Sequence, residues 1–243
     1  MGIRPWGEER IAHELWLKLG IRVSPRTVRA YWPGKGPWSD RCSQTWNTFV
    51  RNRARALLGR DFMVAVTARF QSFSIFVVME TGSRRILHCS VTPHPSAQWT
   101  IPQLREAISS DHEYRFLIHD RHATFSSELD VAIAALGLEA VKTPIRVPQA
   151  NAFCERLLGT MRRECLDFMI PLNERHLRRI IREWVLHYNR GRLHSCLGPG
   201  IPDPRSATPP KARRHRFEEA ERVTSTPVLA GLHHEYALER AVA

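Results

Sequence analysis

The sequence predicts an α/β protein: a mixed five-stranded sheet flanked by helices. A small helix-turn-helix stands before it, and an extended tail with short β-strands follows. Two patterns predict the sheet. Residues 61–92 hold three runs rich in Val, Phe and Ile, separated by turn residues, as a meander of strands requires. From 97 to 194 helical and strand-like segments alternate, which adds further strands through helical crossovers and makes the sheet mixed. A third pattern marks the tail, where Pro199, Pro202, Pro204, Pro209 and Pro210 favour extended chain.

In order along the chain, Ile11, Leu15 and Leu19 recur at helical spacing, and Gly20 follows where a helix stops. Ser24-Pro25 is a cap residue followed by proline at the first helical position, so a second helix opens over Arg26 to Trp32. This layout presents Arg26, Thr27 and Arg29 near the start of the second helix, where a helix-turn-helix meets a DNA major groove. A plain helical hairpin gives the same pattern. Pro33-Gly-Lys-Gly-Pro37 reads as linker. Strands are expected at Asp61–Ala68, Phe70–Met79 and Arg85–Thr92, the last two joined by Thr81-Gly82-Ser83. A helix at Ala97–Ser109, a strand at Tyr114–His119, a helix at Ser127–Leu136 and a fifth strand at Leu138–Thr143 follow. After the loop Pro144–Asn151 come two helices. Thr226–Ala237 is suited to one or two short strands. The expected division is 1–33 helix-turn-helix, 34–58 linker, 59–197 core and 198–243 basic Pro-rich tail.

Composition narrows the partners. Among 243 residues, 36 are Lys or Arg and 24 are Asp or Glu, a formal net charge of +12. Such a surplus suits a polyanion, nucleic acid above all. The five cysteines have no C-x-x-C spacing, which argues against a disulfide framework or a Cys-rich zinc site. No window reaches the roughly 18 unbroken apolar residues of a membrane span. The N-terminus lacks a signal-like apolar stretch, and the chain reads as cytoplasmic.

Three acids stand where strands and helices meet. Asp61 is expected to start the first strand, Asp120 follows the fourth, and Glu155 lies one turn into the helix beginning near Asn151. Transesterification of a phosphodiester needs an activated attacking oxygen and charge relief on the leaving oxygen. Two Mg²⁺ ions about 3.5–4 Å apart supply both, and Mg²⁺ favours carboxylate oxygens. Spacing alone does not single out these three among 24 acids.

The surrounding words do. Leu117-Ile-His-Asp120-Arg121 and Val147-Pro-Gln-Ala-Asn-Ala-Phe-Cys-Glu155-Arg156 resemble the second and third acidic motifs of insertion-sequence transposases, in the retroviral-integrase-like superfamily. Arg162-Arg-Glu-Cys-Leu-Asp167, Leu172-Asn-Glu-Arg-His-Leu177, His187-Tyr-Asn-Arg-Gly-Arg-Leu-His194 and Gly231-Leu-His-His-Glu-Tyr236 are similar to that family as well. So is the N-terminal Pro5-Trp-Gly…Tyr31. The resemblance implies an RNase H-like fold and a DDE transposase or integrase. It makes Asp61, Asp120 and Glu155 the catalytic triad, holding two Mg²⁺ (or Mn²⁺) ions. It also implies nicking of transposon ends and strand transfer into target DNA by a homo-oligomer on double-stranded DNA.

Two departures bear on activity. Arg121-His122-Ala123 stands where the family has a turn-forming residue and a further Asp. The chain also begins inside what is the second helix-turn-helix of many relatives. Both suit a decayed copy that only binds DNA. An RNase H-type nuclease is a third reading, with Glu106 the candidate for its extra acid. Asn151 is read as organising the loop, touching DNA or capping the helix. Glu155, Gly159 and Arg162 share a face of their helix, and Arg156 and Arg163 are candidates for phosphate, a solvated charge run being the alternative. Leu158, Met161, Cys165 and Phe168 form the expected buried stripe. On the last helix, Leu177, Ile180, Ile181, Trp184, Val185 and Tyr188 read as core, with Arg178, Arg179 and Arg182 on the other side.

Overall fold

The computed structural model describes residues 7–31, 54–119, 127–142, 151–198, 200–204 and 221–240. The chain divides into two compact units, residues 43–185 and residues 1–42 with 186–243. The expected linker motif Pro33–Pro37, the acid Asp120 with the loop Arg121–Ala123, and Gln149 lie outside the described residues.

The larger unit is built on β1 (Leu57–Val66), β2 (Ser72–Glu80) and β3 (Ile86–Thr92), with β4 (Phe116–His119) and β5 (Glu139–Lys142). The sheet order is β3-β2-β1-β4-β5. β1 and β2 are antiparallel with Asp61 opposite Val77, and β2 and β3 are antiparallel with Ile75 opposite Val91. β4 lies parallel to β1 with Ile118 opposite Gly59, and β5 lies parallel to β4 with Val141 opposite Ile118. An antiparallel meander extended by two parallel strands beside its first member is the RNase H-like arrangement. The crossovers carry α3 (Ala97–Ala107) and α4 (Ser127–Ala135).

Side chains alternate across β1, so Leu58, Arg60 and Phe62 point to one face while Gly59, Asp61 and Met63 point to the other. The first face holds a core of Leu58, Phe76, Val78 and Leu117 packed with Leu104 and Ile108, Leu129 and Ile133, and Leu138. Phe62 closes its edge against Phe76, ring centroids 4.9 Å apart. The second face meets α5 (Ala152–Met161), whose Cys154, Leu157 and Met161 are buried. A π turn at Arg162–Leu166 follows, and then α6 (Glu174–Arg190), which buries Leu177, Ile180, Ile181 and Trp184 as expected.

Several details differ from expectation. β1 begins at Leu57 rather than Asp61, so Asp61 sits in mid-strand. Gly59 and Arg60 disguise the start, but pairing of Leu57 with Phe116 holds them in the sheet. Phe70, expected to open a strand, lies instead in the β1–β2 turn at φ 58° and is 90% exposed. Phe168, expected in the buried stripe, is 51% exposed. The π turn explains it: its wider winding breaks the 3.6-residue spacing on which that stripe was drawn.

In the smaller unit, α1 (Glu8–Leu19) ends at Gly20, whose N–H donates to the Trp16 carbonyl and whose φ of 69° turns the chain so that the Ile21 N–H reaches the Leu15 carbonyl. α2 (Pro25–Ala30) opens on Ser24, whose Oγ accepts the Thr27 N–H at 3.1 Å. β6 (Glu221–Val228) and β7 (His233–Arg240) form an antiparallel ribbon, longer than the short strands expected there. Glu235 ties this ribbon to the end of α6 by a 2.9 Å contact with Nδ1 of the buried His187, on which His233 stacks. No helix among the described residues is long and apolar enough to cross a membrane.

Candidate active site

Two hydrogen bonds position the carboxylate of Asp61. Oδ1 accepts the backbone N–H of Phe62 at 2.7 Å, and Oδ2 accepts the side-chain N–H of Asn151 at 3.3 Å. Asn151 occupies the N-cap position of α5 but makes no side-chain cap bond. It is 2% exposed, with its amide turned to β1 instead of outward. The sequence left Asn151 between a cap, a loop organiser and a DNA contact; its hydrogen bond goes to a neighbouring acid.

Close approach of α5 to β1 makes that bond possible, and Gly59 permits the approach. A Cβ at Gly59 would stand 2.7 Å from Cys154 Sγ and 3.8 Å from Asn151 Oδ1. Any side chain at this position would push the first turn of α5 away from the strand. Glu155 belongs to the same turn, its N–H bonded to the Asn151 carbonyl at 3.1 Å, and its side chain is exposed. Asp61, Asn151 and Glu155 are thus linked in one continuous arrangement. Arg84, from the β2–β3 turn, covers Phe153 of the same helix turn with its guanidinium 3.7 Å from the ring centroid.

The opposite face of the sheet at this point is also polar. Arg60 is 1% exposed and His119 is fully buried, with its Nε2 3.9 Å from Asp130 of α4. Gly59, Arg60, Arg84 and His119 were not singled out from the sequence. A glycine in a strand was the one available signal, since it marks close backbone approach.

Among the described residues no three His, Cys, Asp or Glu side chains converge. The third acid of the sequence triad, Asp120, lies outside them, one residue beyond His119. The donor chemistry fits a hard divalent cation, since Asp61 and Glu155 offer carboxylate oxygens and the neighbouring Cys154 thiol is buried under Gly59. Arg156, Arg162 and Arg163 are exposed on α5 and the π turn. In the other unit Arg26 and Thr27 are exposed, while Arg29 is held by Glu8 of α1 at 2.7 Å.

Residues 136–202 match the integrase core domain family. That segment contains Glu155 and the motifs from Val147 through His194, part of those on which the resemblance to integrases and transposases rests. No curated protein matches the chain. Among solved structures, a chain of the simian T-cell lymphotropic virus intasome in complex with PP2A regulatory subunit B56 gamma is 13% identical. The alignment covers 78% of this chain and 79% of that one, with a TM-score of 0.48. The HTLV-2 integrase catalytic core domain in complex with magnesium, in its trimeric form, is 16% identical over 59% of this chain and 91% of that one, TM-score 0.47. The catalytic core domain of BIV integrase is 17% identical over 58% and 87%, TM-score 0.43.

Proposed function

We propose that the chain is a DDE-type DNA strand transferase that nicks transposon ends and joins them to target DNA. The observation that carries this reading is the Asn151–Asp61 hydrogen bond, which joins the strand bearing one acid to the helix bearing another. The integrase core match over 136–202 adds to it. The register supports a role for Asp120: Asp61 and Asp120 each lie two residues beyond the paired Gly59 and Ile118 in sequence.

In this mechanism Asp61, Asp120 and Glu155 would hold two Mg²⁺ or Mn²⁺ ions. Bound there, the ions would supply charge relief on the attacking and leaving oxygens. Asn151 fixes the carboxylate of Asp61, so its geometry is set before DNA arrives. In the first step water attacks the phosphorus, the P–O3′ bond breaks, and the element end keeps a free 3′-hydroxyl. In the second, that hydroxyl attacks a target phosphodiester; a new P–O3′ bond forms and the target 3′-oxygen leaves with a proton.

Double-stranded DNA is the partner. Arg26, Thr27 and Arg29 of the 1–33 segment read it, and Arg156, Arg162 and Arg163 hold phosphate beside the 59–197 core, with 198–243 as an accessory tail. Two DNA ends must be held together, so the working form is a homo-oligomer acting in the cytoplasm. The test is a branched DNA that mimics the joined product, incubated with Mg²⁺ or Mn²⁺. Metal-dependent reversal of joining, abolished in Asp61→Asn, Asp120→Asn and Glu155→Gln, is expected. DNA binding without strand chemistry in the unaltered protein would overturn the catalytic reading in favour of a decayed DNA-binding copy.

A further inference from the structure

The outward face of α6 carries a charge pattern that packing does not explain. Four arginines of the segment 174–185, namely Arg175, Arg178, Arg179 and Arg182, are exposed. Arg178 is occupied: it bonds Glu174 through Nε at 2.9 Å and also donates to the Val91 carbonyl of β3. Further along the helix Arg190 pairs with Asp203 at 3.4 Å. Arg175, Arg179 and Arg182 have no carboxylate partner among the described residues.

Those three fall within about 60° of one another around the axis at 100° per residue, opposite the buried Trp184 and Leu177. Their spacing along the axis is about 6 Å and then about 4.5 Å, at 1.5 Å per residue. Three like charges at i, i+4 and i+7 repel one another and weaken the helix slightly. The two acids that could relieve them lie to either side: Glu174 is bonded to Arg178, and Glu183 lies toward Cys165, whose ionisation it opposes. All three are arginine, whose planar fork fits phosphate oxygens, with no lysine among them.

We infer that Arg175, Arg179 and Arg182 form a phosphate-binding stripe on α6 that tracks one strand of a DNA duplex. The inference rests on the DNA-transferring function proposed above and adds to it a surface outside the catalytic helix. Neutralising a phosphate releases a condensed counterion, so each engaged arginine steepens the salt dependence of binding by about 0.9 in log K against log salt.

The experiment measures Kd for a fluorescent 30-base-pair duplex of arbitrary sequence across a salt series. It compares the full chain with Arg175→Gln/Arg179→Gln/Arg182→Gln and with an Arg222→Gln control on the ribbon, where Arg222 already pairs with Glu239. Thermal melting by circular dichroism establishes that each variant folds. The triple variant is expected to lower the slope by about 2.7, three times the value for one phosphate, while the control leaves it within error. An unchanged slope in a folded triple variant overturns the stripe while leaving the catalytic proposal standing. If the unaltered chain shows no salt-dependent DNA binding, the DNA reading itself falls, and the stripe with it. Loss of binding to phosphatidylglycerol vesicles, with DNA binding intact, would reassign the stripe to a membrane surface.

Discussion

At the scale of single residues, Asn151 shows how position and role separate: it stands at a helix cap while its amide is bonded to Asp61 on the neighbouring strand. Under the proposed function Asp61 is a metal-binding carboxylate, and removing a residue that orients one typically changes metal affinity or activity by about 10- to 100-fold. Asn151→Ala is therefore expected to lower the rate of branched-DNA reversal by that amount and to raise the Mg²⁺ concentration needed for half-maximal rate. A drop in melting temperature with an unchanged metal requirement would make Asn151 merely structural. Cys165 supplies a second residue-scale prediction. Burial, with the Glu183 carboxylate adding to it, pushes its thiol up to about 12. An unfolded thiol titrates near 8.5, so the folded chain holds a proton that the unfolded chain releases. Its contribution to stability is full below about pH 8.5 and is lost as pH rises toward 12. In the native protein at pH 8, iodoacetamide should modify the exposed Cys196 and leave Cys165 untouched, as read by peptide mass mapping. Equal rates at the two sites would refute the burial argument.

At the scale of elements, the decisive contact is between β1 and α5 across Gly59. Adding one methyl there sets a Cβ 2.7 Å from Cys154 Sγ, and overpacking of this kind costs about 1–3 kcal/mol. Gly59→Ala should lower the urea midpoint accordingly. The double variant Gly59→Ala/Cys154→Ala should recover part of the loss, a coupling that separate, non-touching sites would not give. The same contact explains what was legible in the sequence. Glu155 could be found from its motif and its place one turn into a helix. The contact that seats its helix against β1 could not, because Gly59 and Cys154 are 95 positions apart and a glycine in a strand marks close approach without naming what approaches. The π turn at Arg162–Leu166 was equally hidden. Its sequence, Arg-Arg-Glu-Cys-Leu, contains no helix breaker, and its effect shows in the exposure of Phe168.

At the scale of the whole molecule, stability and charge are handled by different parts. The core of Leu58, Phe76, Val78, Leu104 and Leu117 is fully buried. Leu117→Ala should cost about 2–5 kcal/mol, the range for large-to-small changes in well-packed interiors. Phe70→Ala, at a residue 90% exposed in the β1–β2 turn, should stay within about 0.5 kcal/mol. Chemical denaturation of the two variants side by side checks both numbers; equal losses would mean that Phe70 is covered in solution. The net charge of +12 has no core to stabilise and suits instead the polyanion that the proposed chemistry requires.

The sequence by itself determined the class of fold, the identity of most strands and helices, and the basic character of the surface. These depend on local periodicity and composition, which every short window carries. Its motifs also nominated the acids. Only the tertiary structure decided that β1 begins at Leu57, that Asn151 turns away from its own helix to Asp61, and that Arg60 and His119 are buried behind the site. It likewise separated the arginines of α6 that carboxylates occupy from those left facing solvent. Each of these follows from which distant segment lies against which, and a one-dimensional pattern does not encode that neighbour.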